Sequence, residues 1–317
     1  MIKKCIKKVI KSFVPSSLLA KVSRQAPGIE TRAAAKGFSV SPHESFVDVI
    51  RNDKVIRVSR EHEIYLNDIF NSFDYYHSAV VPFSINGYYV VDYSGPRYHD
   101  VVGFDSWPVM FPSFAEPMVT TFQYLEFASL SSGGNVLDLG AYSGLTSMVF
   151  SRQVGASGVV VAVDADPINL QCIRRNIDRH NKFCASSVRI MDGAVWSDAK
   201  GLEFSCEGNM GGSATAIVGK NRGKVIKVQS FTLSDIAKIN NLSSIDFIKC
   251  DIEGAESVVF EDKEFFEKFR PRIIVEPHQV GGRLSTDKVM ADLSRYGYKC
   301  KCRIQSGVEV PLIECSP

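Results

Sequence analysis

One glycine-containing segment, 135–147, constrains the fold of this chain more than any other. It opens with Val-Leu-Asp-Leu, which has the character of a short buried strand, and it ends in residues that continue as a predicted helix. Gly140 and Gly144 flank the connecting loop, where the backbone must turn sharply and a ligand can approach without a Cβ in its way. The segment therefore predicts a nucleotide-binding strand–loop–helix unit, with Asp138 near the strand tip.

The glycine spacing distinguishes this loop from the dinucleotide-binding fingerprint. That fingerprint is G-x-G-x-x-G, in which the helix N-terminus holds a pyrophosphate, whereas this chain has D-x-G-x-x-x-G. The missing third glycine disfavours an NAD-dependent reductase. Asp138 suits a ligand that carries an ammonium and a sulfonium group, such as S-adenosylmethionine. From the loop alone, an ordinary strand–helix turn remains an alternative.

A second buried strand with an acidic end lies about 20 residues beyond the glycine loop, as ribose-binding acids do. Residues 158–163 form an almost continuous apolar run, typical of a parallel strand covered on both faces. Asp164 ends this run and can accept hydrogen bonds from ribose hydroxyls. Asp166 is predicted to cap the following helix. The next predicted strand ends in Asp192 and Gly193, and we expect the carboxylate of Asp192 to reach the adenine amino group.

Two further predicted strands, over 245–251 and 271–278, end in a dense group of polar side chains. The group comprises Asp251, Glu253, Glu256, Glu276 and His278. In open α/β sheets, ligands bind above the carboxyl ends of the strands where the strand order reverses. That rule brings Asp251 and Asp138 to one crevice.

Five stretches carry a resemblance to a known family. They are DLGAYSG at 138–144, DADP at 164–167, RN at 175–176, IDFIKCDIEGAE at 245–256 and PRIIVEPH at 271–278. Over residues 114–280 the chain resembles the FkbM family of methyltransferases, and the fourth stretch is the most specific part of the resemblance. Tyr142 departs from the family pattern, which usually has Asn at that position.

The resemblance implies an α/β class I methyltransferase fold, a Rossmann-like seven-stranded sheet in the order 3-2-1-4-5-7-6 with the last strand antiparallel. It implies S-adenosyl-L-methionine as the methyl donor and a hydroxyl on a sugar, polysaccharide or polyketide-like small molecule as the acceptor. A non-catalytic S-adenosylmethionine-binding or scaffold protein of the same fold is the alternative. The residues expected to bind the cofactor are Glu116, Asp138, Gly140, Ala141, Tyr142, Gly144, Asp164, Ala165, Asp192, Gly193 and Asp251.

Methyl transfer to a hydroxyl needs a base, because the hydroxyl must lose its proton. Asp251, His278 and Glu276 are the candidate catalytic residues. We expect His278 or Asp251 to be the base. Histidine has an ordinary pKa that suits this role, and Asp251 is nearest the point where the strand order reverses. One alternative is that His278 is a strand-end residue bonded to Glu276. Another is that the acidic group holds Mg²⁺ or Ca²⁺; metal-free catalysis is the expectation, because Asp251 can face the sulfonium without a metal.

Three segments are predicted along the chain: a basic amphipathic segment over 1–29, an α+β extension over 30–115, and the methyltransferase domain over 116–317. Residues 1–24 carry seven Lys or Arg and no Asp or Glu, which suits contact with an anionic membrane surface. A locally packed N-terminus is the alternative. Because no apolar run is as long as a transmembrane helix, a cytoplasmic location is expected, with this segment as a candidate peripheral contact at the inner membrane face.

Charge and cysteine content argue against two further functions, nucleic-acid binding and the binding of a structural zinc ion by cysteines. The chain has a net charge of +2, and the first 24 residues alone exceed it, so the main body is net negative. A nucleic-acid-binding surface is therefore not indicated. The eight cysteines lack the spacing of metal ligands, and their places within predicted elements suit reduced core residues. The oligomeric state is left open.

Local patterns predict parts of the extension and of the helix that follows it. Asn86-Gly87 between two β-prone runs predicts a hairpin, and 61–73 has helical character. Residues 97–100 are polar and could line a substrate entrance, although a surface turn is favoured. The helix after Glu116 is expected to bury an apolar stripe made of Met118, Phe122 and Leu125.

Overall fold

The structure is a computed structural model that describes residues 28–218, 224–305 and 310–317. The predicted amphipathic segment at residues 1–24 lies outside these residues. The N-terminal part contains α1 (Ile29–Ala35), β1 (Ser39–Pro42), β2 (Phe46–Arg51), β3 (Lys54–Ser59), a 3₁₀ turn (Arg60–Tyr65), α2 (Leu66–Asn71), α3 (Phe73–His77), β4 (Phe83–Ile85), β5 (Tyr88–Tyr93), β6 (Arg97–His99) and β7 (Val109–Phe111). Five of these strands form a sheet in the order β1-β2-β3-β5-β4.

The hairpin predicted at Asn86-Gly87 is present. β4 and β5 pair antiparallel, with Ile85 opposite Tyr88, and both turn residues have positive φ, as a type I′ turn requires. Residues 61–73 are helical, as predicted, but as a 3₁₀ turn followed by two short helices rather than one continuous helix. The break falls at Ser72, whose φ of −120° and ψ of 31° interrupt the helical backbone.

The remaining elements complete a larger α/β unit. They are α4 (Met118–Ala128), β8 (Asn135–Leu139), α5 (Leu145–Val154), β9 (Val159–Asp164), α6 (Pro167–Phe183), β10 (Val188–Asp192), β11 (Ala194–Val195), β12 (Leu202–Cys206), β13 (Ser213–Ala214), α7 (Thr215–Val218), β14 (Lys224–Val228), β15 (Ser230–Phe231), α8 (Leu233–Ile239), β16 (Phe247–Cys250), α9 (Glu256–Val259), α10 (Lys263–Lys268), β17 (Arg272–Val275), β18 (Gln279–Val280), β19 (Arg283–Leu284), α11 (Thr286–Ser294), β20 (Lys299–Arg303) and β21 (Leu312–Ser316).

A seven-stranded sheet runs through this unit in the order β10-β9-β8-β16-β17-β21-β20. Numbered along the chain, its strands have the predicted order 3-2-1-4-5-7-6. The first five strands are parallel, and β21 is antiparallel to both of its neighbours. Successive residues of β8 contribute to different cores: Val136 belongs to the core on one face and Leu137 to the core on the other. Burial on both faces explains the continuous apolar runs in the sequence.

The N-terminal sheet packs on one face of this central sheet. A single apolar core contains Val49 and Ile56 from the N-terminal sheet together with Val136 and Phe247 from the central one. The division proposed at residue 116 stays a prediction, because both sides of it share that core.

Helix α4 buries only part of the predicted apolar stripe: Met118 is buried and Leu125 is partly buried, but Phe122 is not. Phe122 is 50% exposed, whereas Thr120, Thr121 and Tyr124 are buried. The buried face is partly polar because polar partners meet it: the hydroxyl of Thr120 lies 2.7 Å from that of Tyr75. A search for apolar spacing alone could not identify this face.

The expectation that all cysteines are reduced is wrong. Cys300 and Cys315 form a disulfide, because the antiparallel pairing of β20 and β21 sets them directly opposite one another. Five cysteines in the described part of the chain are free: Cys172, Cys184, Cys206, Cys250 and Cys302. Among the same residues, no helix has the length and apolar character needed to cross a membrane.

Candidate active site

The glycine loop lies between the ends of three strands. Gly140 has a φ of +73°, and a Cβ there would lie 1.7 Å from the carbonyl oxygen of Asp251. The backbone N–H groups of Gly140 and Ala141 donate to the carbonyl of Val163 at 2.9 and 3.0 Å. Only glycine fits at position 140, because β16 approaches the loop too closely for a side chain.

Tyr142, next in the loop, has a φ of +54°. Asn tolerates this left-handed region better than other non-glycine residues, which gives a physical reason for the Asn of the family pattern. Here the phenol group makes its own contact, donating to the carbonyl of Phe114 at 2.6 Å. Asn176 makes a second connection of the same kind: its side chain bonds both the N–H and the C=O of Met110 and also the carbonyl of Ser143. These two side chains join the glycine loop to the segment before α4.

A pocket opens above the loop at the carboxyl ends of β8, β9 and β16. Eight of the predicted cofactor-binding residues line it, namely Glu116, Gly140, Ala141, Tyr142, Asp164, Ala165, Gly193 and Asp251. Three do not: Asp138, Gly144 and Asp192. Residues that the sequence did not single out also line the pocket, including Tyr124, Asn169, Trp196, Phe204, Met210 and Lys249.

Asp164 at the end of β9 is held in a fixed orientation. One carboxylate oxygen accepts the N–H of Tyr142 at 2.8 Å, and the other accepts the N–H of Asp166 at 2.9 Å. Burial raises the pKa of Asp164 to about 7, although these two hydrogen bonds oppose the shift. The carboxylate lines the pocket with lone pairs still available, as ribose binding would require; that role stays a prediction.

The expected contact of Asp192 with adenine is not supported. The side chain is half exposed and forms an ion pair with Arg174 outside the pocket. Strand alternation explains this, since Asp192 points outward while Gly193 turns into the pocket. Trp196, Phe204 and Met210 supply an apolar wall on this side. Met210 and Gly212 belong to a glycine-containing loop over 208–212 that contributes to this wall.

Asp138 lies beneath the glycine loop rather than in the pocket. It is fully buried, accepts a hydrogen bond from Ser147 at 2.5 Å and lies 3.6 Å from Nζ of Lys249. Lys249 in turn donates to the carbonyl of Gly140 at 2.7 Å. Burial raises the pKa of Asp138, and the nearby ammonium group opposes that shift. The expected ligand contact of Asp138 is therefore replaced by an indirect one through Lys249 and the loop.

Acidic side chains collect beyond the end of the pocket at Asp251. The hydroxyl of Tyr124 donates to Glu276 at 3.3 Å, and that of Tyr75 lies 3.5 Å from Glu116. Burial, followed by the charge of Asp251, raises the pKa of both glutamates. Polar residues 97–100 do not reach this crevice; the side chain of Arg97 bonds Asp92 and Ser94 instead.

His278 is surrounded by three carboxylates, none of them Glu276. Its Nε2 lies 3.6 Å from Asp251 and 3.4 Å from Glu253, and its Nδ1 lies 3.4 Å from Glu256. Burial opposes the charged ring, but the carboxylates outweigh it and raise the pKa of His278 well above its usual value. The three carboxylates thus favour the protonated ring, and the role of His278 as the base stays a prediction.

Comparisons with known proteins agree with this geometry. The family model described as "Methyltransferase FkbM domain" matches residues 138–300. A curated relative, the probable cobalt-precorrin-6B C(15)-methyltransferase (decarboxylating) of Thermoplasma volcanium, is 25% identical over 132 residues, which cover 38% of this chain and 66% of the relative. The chain thus spans just under two thirds of that relative's length.

Three solved structures are also similar to this chain. Precorrin-6y C5,15-methyltransferase from Geobacter metallireducens is 13% identical, with a TM-score of 0.39 over 63% of this chain and 87% of that one. Fibrillarin from Aeropyrum pernix with bound S-adenosyl-L-methionine is 12% identical, with a TM-score of 0.38 over 88% and 98%. The O-methyltransferase from Bacillus cereus with SAH is 17% identical, with a TM-score of 0.36 over 64% and 81%. Because the family model matches more than half of the 317 residues, this chain belongs to the FkbM methyltransferase family and uses S-adenosylmethionine as its methyl donor.

Proposed function

We propose that this enzyme transfers the methyl group to a hydroxyl oxygen of a sugar, polysaccharide or polyketide-like acceptor. The supporting observation is the carboxylate-rich end of the pocket, where Glu116, Asp251 and Glu253 line the wall and the nearby Glu276 is influenced by the charges of Asp251 and Glu116. Carboxylates accept hydrogen bonds from hydroxyl groups. The proposed acceptor is therefore a hydroxyl-rich molecule.

The proposed reaction is an in-line displacement at the methyl carbon. The acceptor oxygen forms a bond to that carbon, the carbon–sulfur bond breaks, and its electron pair remains on sulfur, which leaves as the neutral thioether of S-adenosylhomocysteine. Holding the oxygen about 3–3.5 Å from the methyl group supplies much of the acceleration. The pocket provides this alignment by fixing the cofactor between the glycine loop and β16.

The hydroxyl proton passes in this proposal to the ionised form of Glu276, whose pKa burial raises to about 8, which makes it a stronger base than an ordinary carboxylate. Asp251 is a weaker candidate, because its carboxylate lies 3.4 Å from the ammonium of Lys249 and 3.6 Å from the ring of His278. These contacts occupy the carboxylate of Asp251, whereas the hydrogen bond that Glu276 accepts comes from the hydroxyl of Tyr124.

The test is methylation of a panel of acceptors by the full-length protein with isotopically labelled S-adenosylmethionine. Free sugars, cell-envelope polysaccharide and simple amines are compared, and NMR of the product identifies the methylated atom. O-methylation that falls about 10²- to 10⁴-fold in Glu276→Gln supports the proposal. Methylation at nitrogen or carbon contradicts it. Binding of S-adenosylmethionine without turnover of any acceptor supports the non-catalytic alternative.

A further inference from the structure

Three side chains at the acceptor end of the pocket converge as ligands of one ion would. Ligand atoms of Asp251, Glu253 and His278 all lie within 4.8 Å of one another. The Nε2 atom of His278 is 3.6 Å from one carboxylate and 3.4 Å from the other. With metal–ligand bonds of about 2.1–2.4 Å, neighbouring ligands of an octahedral ion are about 3.0–3.4 Å apart. Small side-chain movements therefore suffice to bring all three atoms onto one cation.

A third carboxylate lies behind the imidazole, on the side away from these two. Glu256 is fully buried, and its carboxylate accepts the backbone N–H groups of Gly254 and His278 and the hydroxyl of Ser285 at 2.7–2.8 Å. The same carboxylate lies 3.4 Å from Nδ1 of His278. A carboxylate behind the second ring nitrogen is the usual support of a metal-binding histidine. It directs Nε2 toward Asp251 and Glu253.

The distances from the imidazole ring to the three carboxylates are longer than those of charge-assisted hydrogen bonds. Charge-assisted N–H···O bonds are about 2.7–2.9 Å long, whereas the ring nitrogens of His278 lie 3.4–3.6 Å from Asp251, Glu253 and Glu256. Three carboxylates thus surround one imidazole without closing on it. The two carboxylates suit Mg²⁺ or Mn²⁺, and of these two ions the transition metal Mn²⁺ better accommodates an imidazole ligand.

We propose that Asp251, Glu253 and His278 bind a divalent cation of the Mg²⁺ or Mn²⁺ class at the acceptor end of the cofactor pocket. Asp251 and Glu253 line that pocket, so open coordination positions face the methyl acceptor. The cation would bind the acceptor hydroxyl, ease its deprotonation and orient its oxygen toward the methyl group. The proton then passes to Glu276. This role of the cation rests on the proposed O-methylation, whereas cation binding does not, and it reverses the expectation of metal-free catalysis.

The experiment measures Mn²⁺ binding to the full-length protein by calorimetry and electron paramagnetic resonance, without any acceptor. One saturable site is expected, with a nitrogen coupling in the pulsed spectrum that disappears in His278→Ala. Asp251→Asn and Glu253→Gln should each weaken binding at least tenfold. Glu256→Gln, which changes a positioning residue, should weaken it about 10- to 100-fold. The matched control is Glu261→Gln, because Glu261 is exposed and pairs with Lys288 instead; its Mn²⁺ affinity should be unchanged.

Wild-type protein without saturable Mn²⁺ binding overturns the proposal, as does Mn²⁺ affinity that is unchanged in folded Glu253→Gln and His278→Ala. Turnover is then measured after exhaustive chelation. O-methylation that persists without metal overturns the catalytic role of the cation and leaves the proposed function standing. Mn²⁺ bound at these residues, together with methylation at nitrogen or carbon, leaves the cation site standing and overturns the proposed function.

Discussion

Lys249 and Asp138 form a buried ion pair beneath the glycine loop, with 3.6 Å between Nζ and Oδ1. The two residues are directly opposite one another in the neighbouring parallel strands β16 and β8. Because Lys249 also donates to the carbonyl of Gly140, the pair connects the two central strands to the loop that shapes the pocket.

Replacing Lys249 by Met should destabilise the protein strongly. The change leaves the carboxylate of Asp138 buried without its cation, and breaking a buried pair in this way costs about 3–5 kcal/mol. Urea denaturation measures the free energy of unfolding. The control is Lys263→Met, since Lys263 is exposed and pairs with the likewise exposed Glu267, and this change should alter stability by less than about 0.5 kcal/mol. Equal stability of the two variants would show that the pair contributes nothing.

Asp164→Asn should weaken S-adenosylmethionine binding about 10- to 100-fold. Hydrogen bonds to a charged group contribute roughly 1.5–3 kcal/mol, and each 1.4 kcal/mol is about tenfold in affinity. Isothermal titration calorimetry gives the dissociation constant. Asp192→Asn is the matched control, because the carboxylate of Asp192 lies outside the pocket. If Asp192→Asn weakens binding as much as Asp164→Asn does, the structural assignment of the two acids is wrong.

The affinity for S-adenosylmethionine should fall as the pH drops below about 7, the value to which burial raises the pKa of Asp164. In its predicted role the ionised carboxylate would accept hydrogen bonds from the ribose hydroxyls, and protonation would remove an acceptor. If only the ionised form binds, the dissociation constant rises about tenfold for each pH unit well below that pKa. The measurement is the difference between wild type and Asp164→Asn across pH 5–9. A parallel dependence in both proteins would assign the titration to another group.

Gly140→Ala should lower stability far more than Gly37→Ala does. Both glycines have positive φ, which costs an alanine about 1–2 kcal/mol. The new Cβ at position 140 would also lie 1.7 Å from the carbonyl oxygen of Asp251, whereas nothing lies within 4 Å at position 37. Backbone displacement adds about 1–3 kcal/mol. Thermal melts of the two variants compare these costs directly, and similar melting temperatures would contradict the close approach of β16.

Residues 1–24 should hold the protein on anionic vesicles. Their seven basic residues each contribute about 1 kcal/mol near such a surface. Co-sedimentation with phosphatidylserine vesicles should recover the full-length protein and not a variant that begins at residue 25. Raising the salt concentration should release the full-length protein. Equal recovery of both proteins in the supernatant would reject the membrane contact.

The sequence predicted the central sheet well because its evidence is local. The apolar run before Asp164 and the glycines at 140 and 144 report directly on strand burial and on positive φ. The roles of Asp138 and Asp192 were not accessible in this way. Whether an acid at a strand end faces a ligand depends on its neighbours, here Lys249 for the first and Arg174 for the second.

The chemistry of the acidic crevice was also beyond local patterns. The pKa of His278 depends on Glu253 and Glu256, which come from another loop and helix, and their distances to the ring appear only in the folded chain. One feature of the sequence does point to this chemistry: Lys249 interrupts an otherwise apolar strand. A lysine buried in a sheet needs anionic partners, and this requirement points to Asp138 and Asp251.

The hydrogen bonds that Tyr142 and Asn176 make to the segment before α4 limit how far this enzyme can be shortened. A piece cut to the family boundary at residue 138 keeps both side chains but loses Phe114 and Met110, the groups that they bond. It also loses Glu116 from the pocket wall. The region upstream of the family boundary therefore belongs to the catalytic unit. To exchange it between homologous enzymes, the segment that holds Met110 and Phe114 must be exchanged together with the residues that bond it, Tyr142 and Asn176.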